Sequence, residues 1–183
     1  MKKKFDLAAY EKLVDMENRG EIVFLDANYF KLLRYRTSVG KQLSYNRKEE
    51  YYSIIEKYLN KNLTLLEFRT QFLNLERADA EKGYSILRNR QELEVFYLTE
   101  DSKEYYSLLG KIIDICEDYY VIEPIPENEF YLFVDKDYRQ LQEKFPFKNS
   151  ASIDYEHLIY RSFTFLRFTL VLGILLIIPS FNN

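Results

Sequence analysis

The chain has no tryptophan, one cysteine, one histidine, four prolines and five glycines. Each scarcity removes a class of chemistry. A lone Cys116 cannot close an internal disulfide, which fits a reducing compartment. It falls on an apolar helical stripe and reads as a core thiol rather than a reactive one. With His157 the only histidine, no His/Cys cluster exists to hold zinc or haem, and no cofactor is expected. A Cys116–His157 nucleophile pair has neither an elbow motif nor a Gly-rich turn to support it. The glycines form neither GxGxxG nor GxxxxGK, so the chain lacks a backbone cradle for phosphates. These absences point away from an enzyme and toward a protein that works by binding.

What the chain has is aromatic and charged side chains. Its 183 residues are 47% hydrophobic and 30% charged, globular rather than disordered, and long enough for one domain with extensions. The 17 tyrosines and 14 phenylalanines can line a core edge or a binding surface. The same bias toward Lys, Asn, Ile, Tyr and Phe is what an AT-rich bacterial or organellar genome produces, and that is the blander explanation of it. Lys2, Lys3 and Lys4 resemble the start of a signal peptide, but Asp6, Glu11 and Asp15 stand where its apolar region belongs. The expected location is cytoplasmic or organellar, such as a plastid stroma, or peripheral to a membrane.

The apolar periodicity is helical. Asp6 caps a short helix that Gly20 stops, and Glu21 to Leu25 reads as a strand or an extended link. Asp26 caps a second short helix, expected to turn Phe30 and Leu33 inward and Arg34 and Arg36 outward. Thr37 to Asn46 has no long apolar period and reads as a linker. Lys48 to Asn60 repeats apolar residues at helical spacing through Tyr51, Ile54, Ile55, Tyr58 and Leu59. Thr64-Leu65-Leu66-Glu67 is a capping box, stapled by Leu63 and Phe68, and opens a helix reaching to about Asn89, with Gly83 its weak point. Gln91 to Leu98 fits a strand or a short turn of helix. Ser102 is read as the start of a third long helix with Tyr105, Leu108, Leu109, Ile112, Ile113, Cys116 and Tyr119 on one apolar stripe. After Pro124 and Pro126 come a short aromatic run, Phe130 to Val134, and a helix capped by Asp135 or Asp137. A last helix opens at Ser152 or Asp154. The expected fold is mainly α: an antiparallel four- or five-helix bundle over 48–167, preceded by a short α-rich basic N-terminal extension over 1–47 and followed by an apolar tail over 168–183.

The tail has three open readings. Phe168 to Ile178 is uncharged and almost wholly apolar, and as a helix would span about 16 Å, roughly half a bilayer core. It suits a buried terminal helix, a shallow membrane anchor, or a short tail anchor.

Charge is polarised along the chain. Residues 1–48 carry 11 basic and 6 acidic side chains, whereas residues 91–145 carry 5 basic and 14 acidic. The basic segment interleaves Lys31, Arg34, Arg36, Lys41, Arg47 and Lys48 with Tyr29, Tyr35 and Tyr45, residue types that contact phosphates and stack on bases, although a solvated helix face has the same composition. The acidic stretch repels nucleic acid and attracts basic partners, speeding their encounter. Glu117, Asp118, Glu123, Glu127 and Glu129 concentrate that charge around one loop. The bland reading is a solvated loop after a helix. The sharper one is a surface fitted to a basic protein, since an inhibitor of a nuclease must fill a groove built for phosphates.

Three stretches carry a family resemblance. Ile55-Glu56-Lys57-Tyr58-Leu59 followed by Leu63 to Phe68, then Leu109 to Tyr119, then Ser152-Ile153-Asp154-Tyr155-Glu156-His157-Leu158 resemble successive helices of the colicin D immunity-like proteins, over residues 52–167. These are caps, staples and core positions. The resemblance implies a small helical bundle that neutralises a tRNA-cleaving toxin, with the five acids as the phosphate-mimicking contacts to a basic nuclease. Residues 1–47 have no counterpart in that family, Gln91 to Leu98 does not follow its pattern, and the tail after Arg167 is far more apolar than the family's usual end. The alternative is an accessory subunit of a larger, membrane-associated or organellar complex, docked through Phe168 to Ile178 with its basic front on an anionic surface.

Overall fold

A computed structural model describes residues 2–118 and 125–147; of the two units, Met1–Pro146 and Phe147–Asn183, they lie in the first, apart from Phe147. The last helix expected from Ser152 or Asp154, with His157, and the apolar run from Phe168 lie outside the described residues. Among those residues the protein is mainly helical: β1 (Lys2–Lys4), α1 (Leu7–Asn18), α2 (Ala27–Asn46), α3 (Lys48–Leu59), α4 (Leu65–Leu87), α5 (Arg90–Glu94), β2 (Tyr97–Thr99), α6 (Glu100–Asp118) and α7 (Glu127–Lys144). Helices α2, α3, α4, α6 and α7 pack as an α-rich bundle, with α2, expected in the N-terminal extension, as one of its members.

Local chemistry sets several boundaries. Asp6 accepts from the Ala9 amide at 3.1 Å and starts α1. Gly20, at φ 71, lets the chain leave it. The capping box at α4 is complete: Thr64 Oγ1 accepts from the Glu67 amide at 3.3 Å, and Glu67 Oε2 accepts from the Thr64 amide at 2.8 Å.

Other boundaries depart from expectation. Thr37 to Asn46 is the second half of α2, not a linker, so the boundary expected at 47 falls in the one-residue joint between α2 and α3. No apolar stripe marks it because α2 buries Val39 together with the polar Gln42 and Ser44. Gln42 Oε1 accepts from both the amide and the hydroxyl of Thr99, at 2.7 and 3.1 Å, while its amide nitrogen donates to Asn46. Gly40 faces Gly83 of α4, and a Cβ on Gly83 would stand 3.1 Å from the Gly40 nitrogen. Gly83 is therefore where two helices approach closely, rather than a weak point.

The inward face of α2 is also rotated from the expected one. Leu32 and Val39 are buried, whereas Phe30 and Leu33 are each 43% exposed. Helix α6 begins at Glu100, because Thr99 Oγ1 accepts from the Ser102 amide at 3.2 Å; Ser102 is the third residue of the helix and not its cap. Phe130 to Val134 belongs to α7, which starts just after Pro126 and runs through Asp135 and Asp137 without a break. The ambiguous 91–98 segment contains part of α5 and most of β2. Strand β2 pairs antiparallel with β1, Lys3 opposite Leu98. The three lysines of β1 leave its outer edge charged, which discourages pairing with another chain.

Two regions of core result. Phe5, Tyr10, Leu13, Leu32, Val39, Ile86, Leu87 and Leu93 fill the space among α1, α2 and the end of α4. In the bundle, aromatic rings do much of the filling: Tyr58 stacks on Phe68 at 4.5 Å, and Tyr105 meets Tyr45 and Phe145 edge-on, both at 5.6 Å. An ion pair reaches into the core at Asp79, 2% exposed, which accepts from Arg47 Nη1 at 2.8 Å and from the Tyr51 hydroxyl at 2.7 Å. It ties the α2–α3 joint to α4, and a buried carboxylate without such partners would be strongly destabilising.

Candidate functional site: the acidic end of α6 and α7

Helices α6 and α7 run antiparallel. Lys144 bonds Glu104, and Lys111 donates to Gln140 at 2.9 Å and stands 4.0 Å from Asp137. Extending this register brings residues 117–118 opposite the stretch from Phe130 to Val134, about one turn inside the start of α7. Glu117 and Asp118, in the last turn of α6, and Glu127 and Glu129, in the first turn of α7, therefore share one end of the pair. All four are exposed. Among the described residues none of them forms an ion pair. Glu123 lies outside the described residues.

The two halves differ electrostatically. Glu127 and Glu129 sit at a helix N-terminus, where the macrodipole favours negative charge. Glu117 and Asp118 sit at the opposite pole of α6, where the dipole disfavours it, and that turn carries no basic residue. Part of the burden is met from α4. Arg69, 8% exposed, donates Nε at 2.9 Å and Nη2 at 2.5 Å to the Cys116 carbonyl, one of the last carbonyls of α6. Cys116 itself is fully buried, and burial pushes its thiol up to about 12, with Arg69 pulling weakly the other way. A thiol held protonated in this way has the environment of a core residue rather than a nucleophile.

Beside the acids lies a groove the sequence reading missed. It encloses about 710 Å³ and is lined by Tyr58, Lys61, Leu63, Glu127, Asn128, Tyr131 and Leu132. It forms because α3 ends abruptly: Lys61 adopts φ 60, its amide bonds Tyr58 O at 2.9 Å, and the Asn62 amide bonds Lys57 O at 2.7 Å. Tyr131 fixes α7 against this corner by donating to Leu59 O at 3.0 Å. The break at Asn60-Lys61-Asn62 was the only local sign of it, because the opposite wall comes from a helix far along the chain. Glu127 belongs to both the acidic end and the groove rim, so an apolar hollow opens beside unpaired carboxylates.

The basic N-terminal residues are not gathered into one surface. Arg36 pairs with Glu17, and Arg47 with Glu50 and Asp79. Lys41 and Lys48 stand over the rings of Tyr106 and Tyr45, at 5.4 and 5.1 Å from their centroids. Among the described residues no helix is long and apolar enough to cross a membrane. No family model, curated protein or solved structure matches this chain.

Proposed function

We propose that the protein is a non-enzymatic binding protein of the toxin-neutralising immunity type, whose acidic end covers the phosphate-binding face of a basic, tRNA-cleaving nuclease. One observation carries the reading: Glu117, Asp118, Glu127 and Glu129 are exposed at one end of the α6–α7 pair and form no ion pair among the described residues. Carboxylates kept unpaired, two of them against a helix dipole, are what a surface needs if its counter-charges come from a partner. The adjoining groove supplies what charge alone lacks, a hollow where an apolar or aromatic side chain of that partner is buried and the surrounding ion pairs are shielded from water.

The test is capture from a lysate of the native host, with the full chain as bait, at low and at high salt. The expected catch is a basic nuclease that leaves the bait as salt rises and whose cleavage of tRNA stops when the bait is added. Capture should fail with Glu117, Asp118, Glu127 and Glu129 all changed to Lys. A nuclease held equally well by that variant, or a salt-resistant assembly with no nuclease in it, contradicts the reading.

A further inference from the structure

The α1–α2 corner carries an apolar surface that the proposed partner binding does not use. Of the eleven large hydrophobic side chains that are exposed among the described residues, five fall here: Val23 at 66%, Phe24 at 70%, Leu25 at 58%, and Phe30 and Leu33. Scattered singly they would need no explanation; together they form a patch.

The patch is held in shape. Asp26 Oδ2 accepts from the Val23 amide at 3.3 Å, Asp26 Oδ1 from the Tyr29 amide at 2.6 Å, and the Asp26 amide returns to Val23 O at 3.1 Å. This closes a turn whose outer residues are Phe24 and Leu25. Leu25 sits at φ 68, a conformation that costs a leucine energy, within a turn that holds an apolar side chain in solvent. Phe24 meets Tyr29 edge-on at 5.1 Å, and Tyr29 meets Phe30 at 5.6 Å, so the aromatic tip is braced from α2.

Charge beside the patch is mainly basic once ion pairs are counted. Glu17 is paired with Arg36 and Glu21 with Arg19, while Asp26 keeps its negative charge, turned onto the Val23 and Tyr29 amides. Lys31 and Arg34, one and four residues after Phe30, form no ion pair with a carboxylate among the described residues; the Arg34 Nε reaches only the Phe30 carbonyl, at 3.3 Å. A convex tip of aromatic and aliphatic side chains flanked by two cations matches the interface of an anionic bilayer: rings and aliphatics enter the acyl boundary while Lys and Arg stay at the phosphates.

The rest of the molecule orients it. The acidic end is tied to the first turns of α4 through Arg69, and α2 crosses the last turns of α4 at Gly83. From Arg69 to Gly83 α4 rises about 21 Å, and α2 carries the patch away from the crossing in the direction of the α4 C-terminus. Among the described residues the acids of the α6–α7 end therefore lie away from a surface that the patch touches, which spares them repulsion from anionic headgroups. We propose that the corner formed by Val23, Phe24, Leu25, Phe30 and Leu33, with Lys31 and Arg34, docks the protein on an anionic lipid surface.

The absence of tryptophan makes the test direct. The full-length F24W variant carries a single reporter at the exposed tip, leaves the core untouched, and reads this surface alone whatever the rest of the chain does. Vesicles of phosphatidylcholine containing phosphatidylglycerol should shift its emission to the blue, and brominated acyl chains should quench it. Vesicles of phosphatidylcholine alone should do neither. High salt should reverse the effect, and adding K31Q/R34Q should lower partitioning roughly tenfold or more. Emission unchanged by anionic vesicles overturns the proposal, even if the protein sediments with them, because binding then uses another surface. A blue shift without vesicles that grows with protein concentration also overturns it, in favour of self-association. Since the readout sits at Phe24, its failure leaves the reading of the acidic end untouched.

Discussion

Gly83 and Gly40 meet backbone to backbone: a Cβ on Gly83 would lie 3.1 Å from the Gly40 nitrogen and 3.2 Å from its Cα. Neither atom can yield as a flexible side chain would, so G83A must push α2 away from α4. Overpacking of this kind costs about 1–3 kcal/mol. The control is G110A in α6, where a Cβ would meet nothing within 4 Å. Removing the helix penalty of glycine there should raise stability by about 0.5–1 kcal/mol. Urea denaturation of the two variants should give opposite signs; two gains would show that the helices do not cross at this pair.

The hydroxyls of Tyr105 and Tyr52 make a second contrast. Tyr105 is fully buried, and its hydroxyl has no hydrogen-bond partner among the described residues. The Tyr52 hydroxyl donates to Phe145 O at 3.0 Å and Leu141 O at 3.3 Å. Y105F should leave stability unchanged or raise it by about 1 kcal/mol, whereas Y52F should lower it by a similar ~1 kcal/mol. Equal losses in thermal unfolding of both would mean that the Tyr105 hydroxyl is bonded in solution.

These pairs show which parts of the fold the sequence could reveal. Thr64 and Glu67 were legible because the capping box is complete within four residues, and Asp6 and Asp26 were legible as caps for the same reason. The bundle as a class followed from apolar spacing in α3, α4 and α6. The second half of α2 was hidden because its odd residues answer to other elements: Gly40 to Gly83 and Gln42 to Thr99, far along the chain, and Ser44 to Tyr51 in the next helix. Ser102 looked like a cap because it is one residue type that caps, and only the hydrogen bond from its amide to Thr99 shows which of the two plays that part. The acids of the candidate site were legible as charge. The groove beside them was not, because its walls are two segments joined only by folding.

Alkaline pH should unfold the protein early. Burial raises the Cys116 thiol from an ordinary 9.0 to about 12, and raises the phenols of Tyr51, Tyr52 and Tyr105 above their ordinary 10.0. A raised folded-state value means that the unfolded chain releases its proton first. Stability is therefore at its full value below about pH 9 and falls as pH rises, first through Cys116 and then through the tyrosines. In C116A the slope of stability against pH just above 9 should shrink by up to about 1.4 kcal/mol per pH unit, since one titrating group is gone. Urea midpoints across this range check it; a slope unchanged in C116A would mean that the thiol ionises equally easily in both states.

Charge reversal at the acidic end separates structural from functional roles, because the two halves of the cluster sit at opposite helix poles. Glu117 and Asp118 oppose the dipole of α6, so E117K/D118K should stabilise the protein, by about 0.3–1 kcal/mol per residue at low salt. Glu127 and Glu129 complement the dipole of α7, so E127K/E129K should destabilise it by a similar ~0.3–1 kcal/mol per residue. A surface serving only the fold would show these opposite effects and nothing more. A surface that meets a basic partner should lose affinity in both variants, mainly through slower association and with weaker dependence on salt. The decisive result is E117K/D118K: a more stable protein that binds less well means that those carboxylates are held in place against the interest of the helix. If that variant is stabilised and captures the same partner unchanged, the acids are solvated surface and the proposed function fails with them.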